Sequence, residues 1–252
     1  MKLPRSLLPL TALLALAHST FAADAGFKSI FDGKTLAGWD GNKEVWSVRD
    51  GALTGQTTAE KGIKANTFLV HTGSQPANFE LRLQFRLTAQ NPDNRANSGV
   101  QYRSKVLDAA TFVVGGYQAD IDSPFRYTGM LYEEKGRGIL MTAGEKIRIG
   151  ETTMVPDTKK KDGMRKQTAV EKLPGATPTA DIAAAYKLGE WNDLVIVANG
   201  NQLRHTVNGI VTAEVTETDA TLGAASGVIA LQLHTGPPMT IQFKNVQLKT
   251  LP

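Results

Sequence analysis

The 252-residue chain contains no cysteine. That excludes a disulfide framework, a thiolate metal site and a cysteine nucleophile, and it leaves no cysteine to carry a lipid anchor. A fold built from this sequence must be held by its core. Histidine is scarce, with four in the whole chain, and aromatic residues make up only 7%. The HExxH, GxSxG and P-loop patterns are absent, which removes the enzyme classes those motifs define. An excess of charge is missing too. The formal net charge is +4, and basic clusters such as Lys159-Lys160-Lys161 are short. Nucleic-acid binding usually needs an extended basic face, so no such partner is expected.

Long apolar runs are absent except at the start of the chain. Lys2 and Arg5 precede an apolar stretch from Leu7 to Ala17 that only Pro9 and Thr11 interrupt. Thr20-Phe21-Ala22 then offers small residues for cleavage after Ala22. This is the order of a secretory signal peptide over residues 1–22. The run is too short for a bilayer span, which takes about 20 apolar residues. The expectation is an exported protein, periplasmic or secreted, with no membrane span and a single mature domain over residues 23–252. Without Lys2 and Arg5 its formal charge falls to +2. No feature of the sequence sets an oligomeric state.

What is present is strand signal. Phe79 to Leu87 alternates apolar and polar residues without a fault, the period of a strand with one buried face. Asn199-Gly200 and Asn208-Gly209 flank Gln202 to Val207, and the segment from Trp191 to Ala198 is rich in Val, Ile and Leu. Strand, turn, strand, turn, strand reads as a β-meander. Further strands are expected at Trp46–Val48, Ala52–Thr54, Phe68–Val70, Val100–Ser104, Gly116–Asp122, Gly138–Thr142, Val228–His234 and Met239–Leu248. Ala180 to Tyr186 has room for one or two helical turns. Residues 152–178, rich in Lys, Pro and Gly, read as a long irregular excursion, either a surface insertion or a lid. The fold class is all-β, a sandwich or barrel.

Polar residues recur at alternate strand positions. The i, i+2 rule puts Gln118, Asp120 and Asp122 on one face, Gln101 and Arg103 on one face, and Gln232 and His234 on one face. A solvated sheet face produces the same alternation. The residue types favour a site: amides, carboxylates, an arginine and a histidine, flanked by Gly115-Gly116-Tyr117, Ser98-Gly99 and Tyr127. Planar hydrogen-bonding groups suit sugar hydroxyls, and an aromatic or glycine-smoothed floor suits ring faces. Tyr132, Glu133, Glu134 and Arg137 follow near a turn, which equally describes a charged hairpin end.

These blocks resemble the 3-keto-disaccharide hydrolase domain family. The resemblance rests on Phe27 to Trp39, Trp46 to Gly55, Phe79 to Arg86, Asn97 to Arg103, Gly116 to Asp122, Trp191-Asn192 and Val207-Asn208-Gly209, in that order. It implies a jelly-roll sandwich of two antiparallel sheets, of the concanavalin-like lectin and glucanase type. It also implies a saccharide or 3-keto-saccharide partner. The implied activity is cleavage of 3-keto-glycosides by removal of the C2 proton, followed by elimination or net hydrolysis. On that basis Asp120 or His234 is the expected base, and Glu133 or Glu134 the acid. Gln101 and Arg103 are expected to steady the keto oxygen and ring hydroxyls, with Gln118, Asp122, Tyr132, Arg137 and Gln232 binding substrate. The family often carries Glu at the position of Gln118; here the carboxylates of that strand are Asp120 and Asp122. Asp120, Asp122, Glu134 and His234 would together suit Ca²⁺ or Mn²⁺ better than Zn²⁺. A non-catalytic carbohydrate-binding module is the alternative on the same fold.

Overall fold

Alternation decides how the strands lie. In Phe79–Ala89, Phe79, Leu81, Leu83, Phe85 and Leu87 are buried while the polar residues between them are half-exposed. The computed structural model describes residues 25–252, so the expected signal peptide lies outside the described residues.

Strands β1 (Lys28–Ser29), β2 (Trp39–Asp40), β3 (Trp46–Arg49), β4 (Ala52–Thr57) and β5 (Thr67–His71) open the chain. The long strands β6 (Phe79–Ala89), β7 (Ala96–Asp108) and β8 (Val113–Ser123) follow, then β9 (Leu131–Glu134) and β10 (Gly138–Met141). Next come β11 (Lys146–Pro156), β12 (Met164–Lys172) and one short helix, α1 (Thr179–Ala185). The chain ends with β13 (Asn192–Asn199), β14 (Gln202–Val207), β15 (Ile210–Glu217), β16 (Val228–Leu233) and β17 (Met239–Thr250).

Two sheets result. One has ten strands in the order β12-β11-β15-β14-β13-β6-β17-β4-β3, with β1 on β17; the other has seven, β10-β9-β8-β7-β16-β5-β2. All pairings are antiparallel except β11 with β15. The architecture is a jelly-roll sandwich. Between the sheets lie Leu81, Phe85, Ile196 and Phe243 from the larger one, and Tyr102, Tyr117, Ile121 and Leu231 from the smaller. Each large apolar side chain buried there contributes about 1.5–3 kcal/mol. The expected meander is β13-β14-β15. Asn208 and Gly209 both have positive φ, the backbone of a two-residue hairpin turn.

The excursion expected over residues 152–178 is not a loop. Most of it is the β11–β12 hairpin, paired from Ile147 with Lys172 to Pro156 with Met164. Among the described residues this ribbon has no other partner strand beyond Ile149, and most of its residues are exposed. A ribbon wet on both faces carries no apolar period, which is why the sequence reads as irregular.

Candidate functional site

The seven-stranded sheet has one face in the core and another facing outward. Register sets what stands on the outer face. Gln101 is opposite Gln118, Gly99 opposite Asp120, and Gln118 opposite Tyr132. The odd-numbered neighbours Tyr117, Ala119 and Ile121 point into the core, so the even-numbered Gln118 and Asp120 point away from it. Gly99 is required here. A Cβ at that position would lie 2.5 Å from the Gln118 side chain, which crosses directly above it.

Part of this face encloses a cavity of about 290 Å³. Its walls include Asp120, Gln118, Tyr132, Glu134, Gln232 and His234. Asp120 is 5% exposed. Its Oδ1 accepts from Asn97 Nδ2 at 3.2 Å, Gln118 Nε2 at 3.3 Å and its neighbour's backbone N–H, that of Ile121, at 3.1 Å. Those donors hold the carboxyl in place but do not offset its desolvation. Burial, with the charge of Asp122 adding to it, pushes the Asp120 pKa up to about 8. A carboxyl tuned that far is suited to proton transfer.

The other groups complement it. Burial, with Glu134 and Asp120 nearby, raises the Tyr132 phenol, which therefore keeps its proton as a donor. Gln232 is fully buried; its Nε2 donates to Glu134 Oε2 at 3.4 Å, and its Oε1 has no partner. A donor group on a bound ligand would satisfy it. His234 donates from Nδ1 to the Thr235 carbonyl, so in the neutral ring Nε2 keeps its lone pair. Gln101 lies beneath, fully buried, with its amide bonded to that of Gln118 at 2.9 Å; it supports the site rather than lining it.

Four further expected site residues are placed otherwise. Arg103 does not share a face with Gln101. It has φ +46, at a register shift in β7, and that twist sends its guanidinium to the carbonyls of Ala77, Gly200 and Ala224. Glu133 and Arg137 lie on the core side of the sheet. Arg137 has no exposed side-chain surface; it sits 2.8 Å from Glu133, 2.8 Å from Glu217 and 3.7 Å from Asp219. Tyr117 adds its hydroxyl to Glu217 at 2.7 Å. That closed ion cluster reaches no ligand. Asp122 is spent on a turn. Its carboxylate accepts the backbone N–H groups of Arg126, Tyr127 and Thr128 and the Thr128 hydroxyl.

The expected Ca²⁺ or Mn²⁺ set does not assemble. Among the described residues no three His, Asp or Glu side chains come together as metal ligands. With Asp122 committed to its turn, Asp120, Glu134 and His234 do not make a shell for a hard cation.

Asn66, Asn97, Tyr127, Met130 and Ile139 also line the cavity. Asn97 was within reach of sequence reasoning, since it lies two and four residues before Gly99 and Gln101 on the same strand face. Asn66 and Met130 reach the cavity from loops, and no periodicity marks them.

A family model for a 3-keto-alpha-glucoside-1,2-lyase-like domain matches residues 26–249. No curated protein matches the chain. Among solved structures it is similar to a "putative glycosyl hydrolase" from Parabacteroides distasonis. That match has 19% identity and a TM-score of 0.54, covering 90% of this chain and 94% of that one. A second such protein from the same organism has 20% identity and a TM-score of 0.52, covering 89% and 99%. A Bacillus subtilis protein of unknown function with a galectin-like fold has 11% identity and a TM-score of 0.52, covering 85% and 90%. At such identities the likeness speaks for the fold. The family match spans almost every described residue, and the chain belongs to the 3-keto-alpha-glucoside-1,2-lyase-like family of carbohydrate-acting domains.

Proposed function

We propose that this protein is an exported enzyme that cleaves 3-keto-glycosides, with Asp120 as the base. The observation that carries the reading is a buried carboxyl, tuned to about pH 8, in the wall of a cavity otherwise lined by amides, a phenol, a carboxylate and an imidazole. The carbonyl of a 3-keto sugar acidifies the proton on C2. Asp120 takes that proton, and the electron pair passes to the C3 oxygen as an enolate. The Tyr132 hydroxyl, which makes no hydrogen bond among the described residues, is the donor for that oxygen. Collapse of the enolate restores the carbonyl, forms the C1–C2 double bond and expels the C1 oxygen. Asp120, now protonated, gives that oxygen its proton and returns to its carboxylate form. Water added across the new double bond turns elimination into net hydrolysis, with no overall change of oxidation state. His234 Nε2 is the acceptor that orients such a water. Action outside the cytoplasm is part of the proposal and is supported by Lys2, Arg5, the Leu7–Ala17 run and Thr20-Phe21-Ala22.

The test is cleavage of a 3-keto-disaccharide across pH. Asp120 must be ionised to act, so kcat/KM is expected to rise with pH and level off above about 8. Asp120→Asn, with an unchanged circular dichroism spectrum, is expected to lose about 10²–10⁴-fold. Tight binding without turnover would replace this reading by that of a carbohydrate-binding module.

A further inference from the structure

The catalytic cavity does not stand alone. A cavity of about 620 Å³ adjoins it and shares Asn97, Tyr127 and His234 with it. A third cavity, of about 570 Å³, shares Asn66 with it. Both flanking volumes fall within the roughly 300–1,000 Å³ typical of ligand sites. The pocket that holds Asp120 thus adjoins both of the others, which have no lining residue in common. A disaccharide would fill two of the three parts.

The walls of the third part are built. Phe112, at φ +54, is fixed by its carbonyl accepting from the backbone N–H of Phe68 at 3.0 Å. The Thr67 hydroxyl ties the same hairpin tip through the Thr111 carbonyl at 3.2 Å. Asn66 stands at the junction. Its Oδ1 accepts from the Thr235 N–H at 3.0 Å, and among the described residues its Nδ2 makes no hydrogen bond. Phe112, Asn66 and Lys64 all line this space next to the pocket that holds Asp120.

Resting on the proposed activity, we infer that the substrate is an oligosaccharide of at least three sugars whose oxidised ring is internal. The bond that breaks must lie where ionisable groups are. The junction with His234 meets that condition, and the junction with Asn66 is uncharged. The leaving chain therefore occupies the cavity bounded by Tyr127 and His234. The chain on the other side of the keto ring occupies the cavity bounded by Asn66, Lys64 and Phe112. A ring oxidised at C3 still has C4 available for that second linkage. Binding energy gathered in the remote cavity can then lower the barrier at the reacting ring.

The experiment compares two 1→4-linked glucosides in both anomeric series: a trisaccharide oxidised at C3 of its middle unit, and a disaccharide oxidised at C3 of its non-reducing unit. The expected result is a kcat/KM about tenfold higher for the trisaccharide. Phe112→Ala and, separately, the exposed Lys64→Ala are expected to shrink that ratio towards one. Equal kcat/KM for the two lengths in the wild type would overturn the inference and leave the catalytic reading standing. If neither sugar is cleaved, the catalytic reading falls, and calorimetry decides the third subsite alone. Tighter trisaccharide binding that Phe112→Ala or Lys64→Ala abolishes would keep it, and equal affinities would remove it.

Discussion

The role proposed for Asp120 carries a cost. Its pKa is about 8 in the folded protein against 3.8 as the ordinary value. Between those values the folded state holds a proton that the unfolded chain releases, so stability from this residue is complete below pH 3.8 and is lost as pH rises through 8. Asp120→Asn removes that loss. Thermal unfolding should show the variant gaining Tm over the wild type between pH 5 and pH 9, at about 2–4 °C per kcal/mol for a domain of this size. A difference that stays flat with pH would mean the carboxyl is not perturbed. Gain of stability with loss of turnover is the pattern of a strained catalytic group. At this scale the sequence was informative wherever period two held. Gln118 and Asp120 stand on the face that alternation assigns them. Arg103 does not, because one residue in a left-handed conformation breaks the alternation, and residue type gives no warning of it.

The β9–β10 turn shows the same limit for an element. Tyr132, Glu133, Glu134 and Arg137 are close in sequence, yet the pleat sends Tyr132 and Glu134 to the cavity and Glu133 to the core side. Arg137 there holds three carboxylates, those of Glu133, Glu217 and Asp219, and joins this turn to the segment after β15. Removing the guanidinium leaves buried charges without a partner, at about 3–5 kcal/mol. Arg137→Ala is therefore expected to lower Tm by about 10 °C while the folded fraction still cleaves a 3-keto-disaccharide. Lost activity with Tm unchanged would put Arg137 back among the substrate ligands.

Across the whole molecule, the sandwich separates the larger sheet from the face that carries the proposed site. The ten-stranded sheet supplies one wall of the core, and the seven-stranded sheet presents the proposed catalytic cavity on its outer face. The β11–β12 ribbon lies at the end of the larger sheet, and its projecting part lines none of the three adjoining cavities. Replacing residues 154–166 by an Asn-Gly turn between Thr153 and Gln167 should leave Tm within about 2 °C and leave disaccharide cleavage intact. Loss of turnover in that variant would restore the lid reading of this segment.

The sequence by itself determined the all-β class, the meander, the absence of disulfides and the polar face on β8, because period-two alternation and turn residues act over a few neighbours. It also carried the family resemblance, block by block. Only the tertiary structure decided which polar residues meet. Asp120 acquires its raised pKa from the walls that bury it and from Asp122. Asp122 is withdrawn into a turn, and Arg103, Glu133 and Arg137 are taken by bonds to distant segments. Burial and partner choice depend on contacts between strands far apart in the chain, and no local pattern encodes them.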